Sequence, residues 1–222
     1  MRSSGENLLL VEGESDRSFF EQVFTLLNLR ASIHVAPPRD VGGRFNTKEG
    51  LLNHLPSLLA QLADGRLKRL SVVLDADFVA NSALGFSRTC GRIETQLNEH
   101  GFELVKSAPQ HHGLVFRHTD GLADLGVWIM PNNRDDGSLE DLLHACVNPN
   151  ELALFQHAQK AVKTVTSPKF RPTHITKAEL ATWLAWQQHP GRGVHHALQE
   201  GLFDVACPSF VGLTDWLRRI FS

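Results

Sequence analysis

LLLVEGESD at residues 8–16 and SVVLDAD at residues 71–77 decide how this chain is read. Each opens as a short apolar run without polar alternation, the pattern of a strand covered on both faces. Each run ends abruptly in acid: Glu12 closes the first, and Asp75 and Asp77 close the second. Gly13 permits a sharp turn after the first strand, and DRSFFEQVFTLLNL then carries apolar residues at helical spacing. The chain therefore opens as strand, turn, helix.

The same alternation continues between and beyond the two runs. ASIHVA reads as a second strand, PPRDVGGRF as a loop, and EGLLNHLPSLLAQLA as a helix that tolerates Pro56. After the D-x-D strand, SRTCGRIETQLNEHG reads as a helix closed by Gly101, and FELVKSA, LVFRH and LGVWIMP as strands. SLEDLLHACV is a helix capped by Ser138 with acids in its first turn. From residue 151 the pattern is helical, with KAELATWLAWQQ stopped by His189-Pro190-Gly191 and a last helix in SFVGLTDWLRRIF. Strands alternating with helices predict an α/β fold over residues 1–150, a Rossmann-like, mainly parallel sheet flanked by helices. Residues 151–222 are expected to form a helical C-terminal extension packing on the same core.

With 222 residues, 42% of them hydrophobic, the chain can bury one substantial core. A net charge of −2 excludes the global basic footprint of a nucleic-acid coat protein, but an enzyme needs only a local basic strip. No apolar run has the length of a membrane span, and MRSSGEN passes into the first strand without a cleavable small-residue site. A cytoplasmic protein with no membrane partner is expected. Cys90, Cys146 and Cys207 form no C-x-x-C pair and read as buried small side chains, suggesting neither a zinc knuckle nor a disulfide framework. The histidine pairs His111-His112 and His195-His196 read as surface or core residues. Neighbours in a strand face opposite ways, and no H-E-x-x-H spacing supports them. Trp183 and Trp186, at i, i+3 spacing, are expected to pack the C-terminal lobe rather than stack on bases.

Glu12, Asp75 and Asp77 fall where neighbouring parallel strands release their chains, the place where α/β sheets gather functional groups. Their mutual repulsion must be offset, and a hard divalent cation, Mg²⁺ or Mn²⁺, does this with oxygen ligands and water. Asp16, one turn into the following helix, can point back at the same place. Arg66, Lys68 and Arg69 lie at the far end of the D-x-D strand, away from the acids. Lys160, Lys163, Lys169, Arg171 and Lys177 make a better strip for a polyanionic substrate, with Lys169 and Arg171 in the loop SPKFRPTHIT.

V-E-G-x-x-D at the end of one strand followed by D-x-D at the end of a later one resembles the Toprim domain of topoisomerases, primases and the overcoming-lysogenisation-defect nucleases. The resemblance covers roughly residues 6 to 106. Topoisomerases and primases often carry a third acid two residues after the D-x-D, where this chain has Val79. The nuclease branch uses instead an E-x-x-x-acid, a D-x-D and a later S-x-E. These correspond here to Glu12 with Asp16, Asp75 with Asp77, and Ser138 with Glu140. GVWIMPNNRDDGSLEDLL, KAELATWLAWQQHPG and DWLRRIF are also similar to an uncharacterised Toprim-like family related to those nucleases.

That resemblance implies a nuclease that hydrolyses phosphodiesters of DNA or RNA with Mg²⁺ or Mn²⁺ held by Glu12, Asp16, Asp75, Asp77 and Glu140. Lys177 would stabilise charge on the phosphate. It also implies an AAA-type ATPase partner, which would supply the G-x-x-x-x-G-K-[ST] loop this chain does not have, an anti-phage setting, and room for a homodimer. Blander readings stand beside it. The acids could be solvated strand ends, as in receiver domains, and Glu140 could simply favour a helix N-terminus. The whole could be a non-catalytic metal-binding or regulatory module acting through the ATPase.

Overall fold

The computed structural model describes residues 6–35, 48–79, 84–105 and 112–222. The predicted loop PPRDVGGRF and the end of FELVKSA lie outside these residues, as does His111. Strands β1 (Glu6–Val11), β2 (Ser32–Val35), β3 (Leu67–Asp75), β4 (Phe102–Leu104), β5 (Leu114–His118) and β6 (Leu125–Met130) form one six-stranded sheet in the order β2-β1-β3-β6-β5-β4. The first four in that order run parallel, and β5 and β4 are antiparallel additions at one edge. The molecule is α/β, with a mainly parallel Rossmann-like sheet and a helical C-terminus.

The parallel strands are apolar on both sides because both faces are covered. Leu9, Val11, Val73, Trp128 and Met130 point into one core, and Leu8, Leu10, Val72, Leu74 and Ile129 into the other. Helix α1 (Glu14–Leu27) carries the chain from β1 to β2 and packs Phe19, Phe20, Val23 and Phe24 into the first core. Helix α2 (Lys48–Ala63) returns it from β2 past β1 to β3 on the other face, burying Leu51, Leu55, Leu58 and Leu62. Right-handed crossovers require opposite faces here, because the two connections travel in opposite directions along the sheet. That reversal makes a topological switch point between β1 and β3, and α2 runs unbroken through Pro56. Helix α3 (Gly85–Asn98) joins the α2 face through Ile93 and Leu97.

After β6 the chain adds α4 (Leu139–Ala145), α5 (Leu152–Lys163), α6 (Ile175–Ala185), α7 (Val194–Gln199) and α8 (Pro208–Phe221), whose buried residues join the α1 face of the core. Trp216 of α8 lies 5.6 Å from Trp128 of β6, ring centre to ring centre, and Phe210 lies 6.3 Å from Phe19 of α1. Helix α8 approaches the sheet so closely that a Cβ on Gly126 would stand 2.9 Å from Ile220. The buried Glu179 of α6 accepts from Gln159 of α5 at 3.0 Å and is bonded to His144 of α4 at 2.8 Å, so the one buried acid of this lobe is satisfied. Trp183 is fully buried, as expected, whereas Trp186 is 42% exposed with its ring tilted against that of His157.

One cysteine expectation is corrected. Cys90 is a free thiol, but Cys146, at the end of α4, and Cys207, at the cap of α8, form a disulfide with Cα atoms 5.5 Å apart. Their sequence separation of 61 gives no local spacing to read, and only the packing of α8 against α4 brings them together. No helix among the described residues is long and apolar enough to cross a membrane.

Candidate metal centre

Four elements deliver acids to the switch point at the carboxyl edge of the sheet. Glu12 follows β1, and its Oε1 accepts the backbone N–H of Asp75 at 2.9 Å, tying the ends of β1 and β3 together. Asp75 ends β3 and follows the alternation of Val73, so it faces the α1 and α4 side. Its Oδ1 accepts the backbone N–H of Leu139 at 3.1 Å, the first residue of α4. A helix N-terminus offers partial positive charge and free N–H groups, so α4 both orients and partly offsets this carboxylate.

Asp16 turns back within the first turn of α1, accepting the Gly13 N–H at 2.9 Å, and a Cβ on Gly13 would sit 3.3 Å from its Oδ2. Glu140 projects from the first turn of α4, where Ser138 Oγ donates to it at 2.9 Å. Ser138 caps α4 with Asp141 as its partner, the Asp141 Oδ2 accepting the Ser138 N–H at 2.8 Å, so the backbone of the cap does not engage Glu140.

Asp77 adopts a left-handed backbone, φ 60°, uncommon for a residue with a side chain but tolerated by Asp. Two backbone hydrogen bonds with Gly137, 2.8 and 3.2 Å, hold it there. Only glycine suits position 137: its φ is 144°, and a Cβ would meet Asp141 Oδ2 at 2.8 Å. The segment between β6 and α4 that supplies Gly137 is itself ordered by the buried Asn133, which accepts the Ile129 N–H at 2.7 Å.

Burial and crowding raise the proton affinity of the inner acids. Glu12 is pushed from 4.5 up to about 7, chiefly by desolvation and further by Asp77 and Asp16, against the pull of Lys48 and the Asp75 N–H. Asp16 is raised from 3.8 to about 6 by burial and by Glu140. Asp75 is raised well above the ordinary carboxylate range by burial and then by Glu12, Asp16, Glu140 and Asp77. Each of the five acids named from sequence thus acts on Asp75 or is Asp75 itself.

Two lysines flank them. Lys177, in the first turn of α6, pairs with Glu140 at 2.9 Å while 65% of its side chain stays exposed. Burial of its stem lowers its proton affinity, but Glu140, Asp75 and Asp16 outweigh this and raise it. Lys48 was not anticipated. It opens α2, donates to Asp77 Oδ2 at 2.7 Å and to the Ala76 carbonyl at 3.3 Å, and is nearly enclosed. The signal was topological: a helix following a parallel strand begins at the strand's carboxyl edge, so a cation in its first turn faces whatever gathers there.

The donor set consists of carboxylates, which suits Mg²⁺ or Mn²⁺. Among the described residues, no three of these acids bring oxygens within 4.8 Å of one another. That spacing fits a hydrated ion, since Mg²⁺ keeps several waters and takes one or two carboxylates directly. Lys169 and Arg171 are exposed in the segment between α5 and α6, and no hydrogen bond or ion pair joins them to the acids. Val79 is 55% exposed and offers no acid there.

The model of one protein family, described as "Protein of unknown function (DUF3226)", matches residues 6–222. The chain belongs to that family. The match to DUF3226 spans the sheet and the helical C-terminus alike, so Lys177 and Glu140 fall within one family unit with Glu12 and Asp75. No curated protein and no solved structure matches the chain.

Proposed function

We propose that this DUF3226 chain is a divalent-metal-dependent nuclease, hydrolysing phosphodiester bonds of DNA or RNA with Mg²⁺ or Mn²⁺. The observation that carries the reading is the convergence of Glu12, Asp16, Asp75, Asp77 and Glu140 at the switch point, with Asp75 raised by all the others. Lys48 and Lys177 offset part of this crowding, and the raised proton affinities of Glu12, Asp16 and Asp75 mark the remainder that a bound cation would relieve. The sequence resemblance to the Toprim nuclease branch names the same residues.

Glu12 and Asp75 would hold the ion, with Asp16, Asp77 and Glu140 orienting its waters. The bound ion would supply Lewis acidity and an activated water. Glu12 is raised to about 7, so metal binding would displace its proton wherever it is held and gain strength as pH rises toward that value. Lys177 is exposed enough to leave Glu140 and meet a phosphate oxygen. Lys169 and Arg171, exposed just before α6, would track the backbone of the polyanion. A cytoplasmic setting beside an AAA-type ATPase in anti-phage defence, and a homodimer, complete the reading.

The test is incubation of the full chain with plasmid, single-stranded DNA and RNA in Mn²⁺, alone and with any ATPase encoded beside it. Cleavage abolished by chelation and by Asp75→Asn supports the proposal. Cleavage that survives both, or Mn²⁺ affinity unchanged by Asp75→Asn, overturns it.

A further inference from the structure

A second cluster of ligand atoms lies away from the acids, on the loop before α7, on α7 and at its C-cap. Among the described residues, His189, His196 and Glu200 are the one set of three His, Cys or acid side chains with ligand atoms all within 4.8 Å of one another. Glu200 Oε1 stands 2.9 Å from His189 Nδ1 and 3.0 Å from His196 Nε2. The imidazole centres are 5.5 Å apart and their planes meet at 76°. Ligands on a tetrahedral zinc, at about 2.0–2.1 Å from the ion, are separated by about 3.3 Å, so small side-chain shifts would seat one ion among all three.

The local chain is built for this convergence. His189-Pro190-Gly191-Arg192 is a turn with proline second and a glycine of φ 81° third, closed by the Arg192 N–H on the His189 carbonyl at 3.4 Å. It folds His189 back over α7, where His196 and the C-cap residue Glu200 are four residues apart and on the same side. His195 and His196 lie on a helix, as the pattern from residue 151 predicts, and His196, read from sequence as a surface or core residue, joins the cluster while His195 does not.

A plain network of two histidines on one carboxylate does not account for His196. Its Nε2 is buried and makes no hydrogen bond, although Glu200 Oε1 is 3.0 Å away, because the ring nitrogen is not aimed at that oxygen. A buried imidazole nitrogen that ignores a neighbouring carboxylate is placed as a ligand beside a second ligand. In the metal-free chain the hydrogen bond between His189 Nδ1 and the same oxygen holds Glu200 in position, and an ion would take the place of that shared proton, which is released to solvent.

We propose that His189 Nδ1, His196 Nε2 and Glu200 Oε1 bind one borderline transition-metal ion, Zn²⁺ by its ligand chemistry, with water as the fourth ligand. Two imidazoles and a carboxylate select Zn²⁺ over Mg²⁺, so this site and the acids take different ions. The ion fixes the loop 189–194. Gly191, Arg192, Gly193 and Val194 line a cleft of about 330 Å³ that Glu140 and Lys177 also line. The zinc site thus sets the rim beside the candidate metal centre without contributing to it.

The full chain, stripped with chelator, is titrated with Zn²⁺ against a chromophoric competitor and with Co²⁺ in the visible. One equivalent of Zn²⁺ bound, with the absorption of four-coordinate Co²⁺, is expected in the wild type and in Asp75→Asn. His196→Gln and Glu200→Gln should each lose Zn²⁺ affinity by about tenfold or more. No stoichiometric Zn²⁺ in the wild type overturns the proposal, as does a wild-type affinity in both Gln variants. Loss of Zn²⁺ in Asp75→Asn alone assigns the ion to the acids and also overturns it. The result is independent of whether the chain cleaves nucleic acid.

Discussion

Glu12→Gln should stabilise the metal-free protein at alkaline pH, the reverse of what replacing a hydrogen-bonded, largely buried side chain usually does. Glu12 binds its proton more tightly in the fold than in the unfolded chain, at about 7 against 4.5. The stability this confers is full below the unfolded value and is lost as pH rises through about 7. At 1.36 kcal/mol for each tenfold change in proton affinity, ionising Glu12 costs the fold about 3 kcal/mol. Glutamine has no proton to lose, and its Oε1 can still accept the Asp75 N–H that Glu12 accepts at 2.9 Å. In chelator at about pH 8 the variant should therefore melt higher by roughly 6–12 °C for a chain of this size. Near pH 4 the two proteins should melt together, both being neutral at position 12. Mn²⁺ should raise the wild-type Tm at alkaline pH and raise that of the variant less. Thermal melts across this pH series decide the matter. A variant that melts at or below wild type at about pH 8 without metal refutes the claim that Glu12 is held against its own electrostatics.

Lys177→Met should lower cleavage about a hundredfold while Mn²⁺ affinity measured by calorimetry changes little, because a protonated lysine cannot ligate the ion. Equal cleavage rates would reduce Lys177 to a surface partner of Glu140. Gly137→Ala should cost about 1–3 kcal/mol and loosen Asp77, since a side chain at a φ of 144° meets Asp141 at 2.8 Å. An unchanged Tm in that variant would show that the Asp77–Gly137 backbone pair is not constrained. Cys146→Ala with Cys207→Ala should destabilise by about 2–4 kcal/mol under oxidising conditions and abolish any effect of reductant on the melt. A wild-type Tm that ignores reductant would mean that the two thiols are not bridged in solution.

The two runs LLLVEGESD and SVVLDAD were enough to place Glu12, Asp75 and Asp77 at one edge of a parallel sheet. Strand runs and helix periods are local properties, and a parallel sheet releases its strands on one side, so strand-end acids had to be neighbours. Asp16 was legible for the same reason, because one helical turn is a fixed distance.

Other features depend on contacts between segments far apart in sequence, and no local pattern encodes them. Lys48 reaches Asp77 only because α2 starts beside the end of β3, and the Cys146–Cys207 bridge exists only because α8 packs on α4. The left-handed backbone of Asp77 is fixed by Gly137, sixty residues downstream. The helical pattern of this segment was legible, but the convergence of His189 on His196 and Glu200 needed the turn at Gly191 and the packing of α7 on α1. The sequence by itself determined which residue types stand at strand ends and helix starts, because backbone periodicity is set within a few residues. The tertiary structure alone decided how buried those groups are and which cations face them, because burial and charge proximity are properties of the whole packed core.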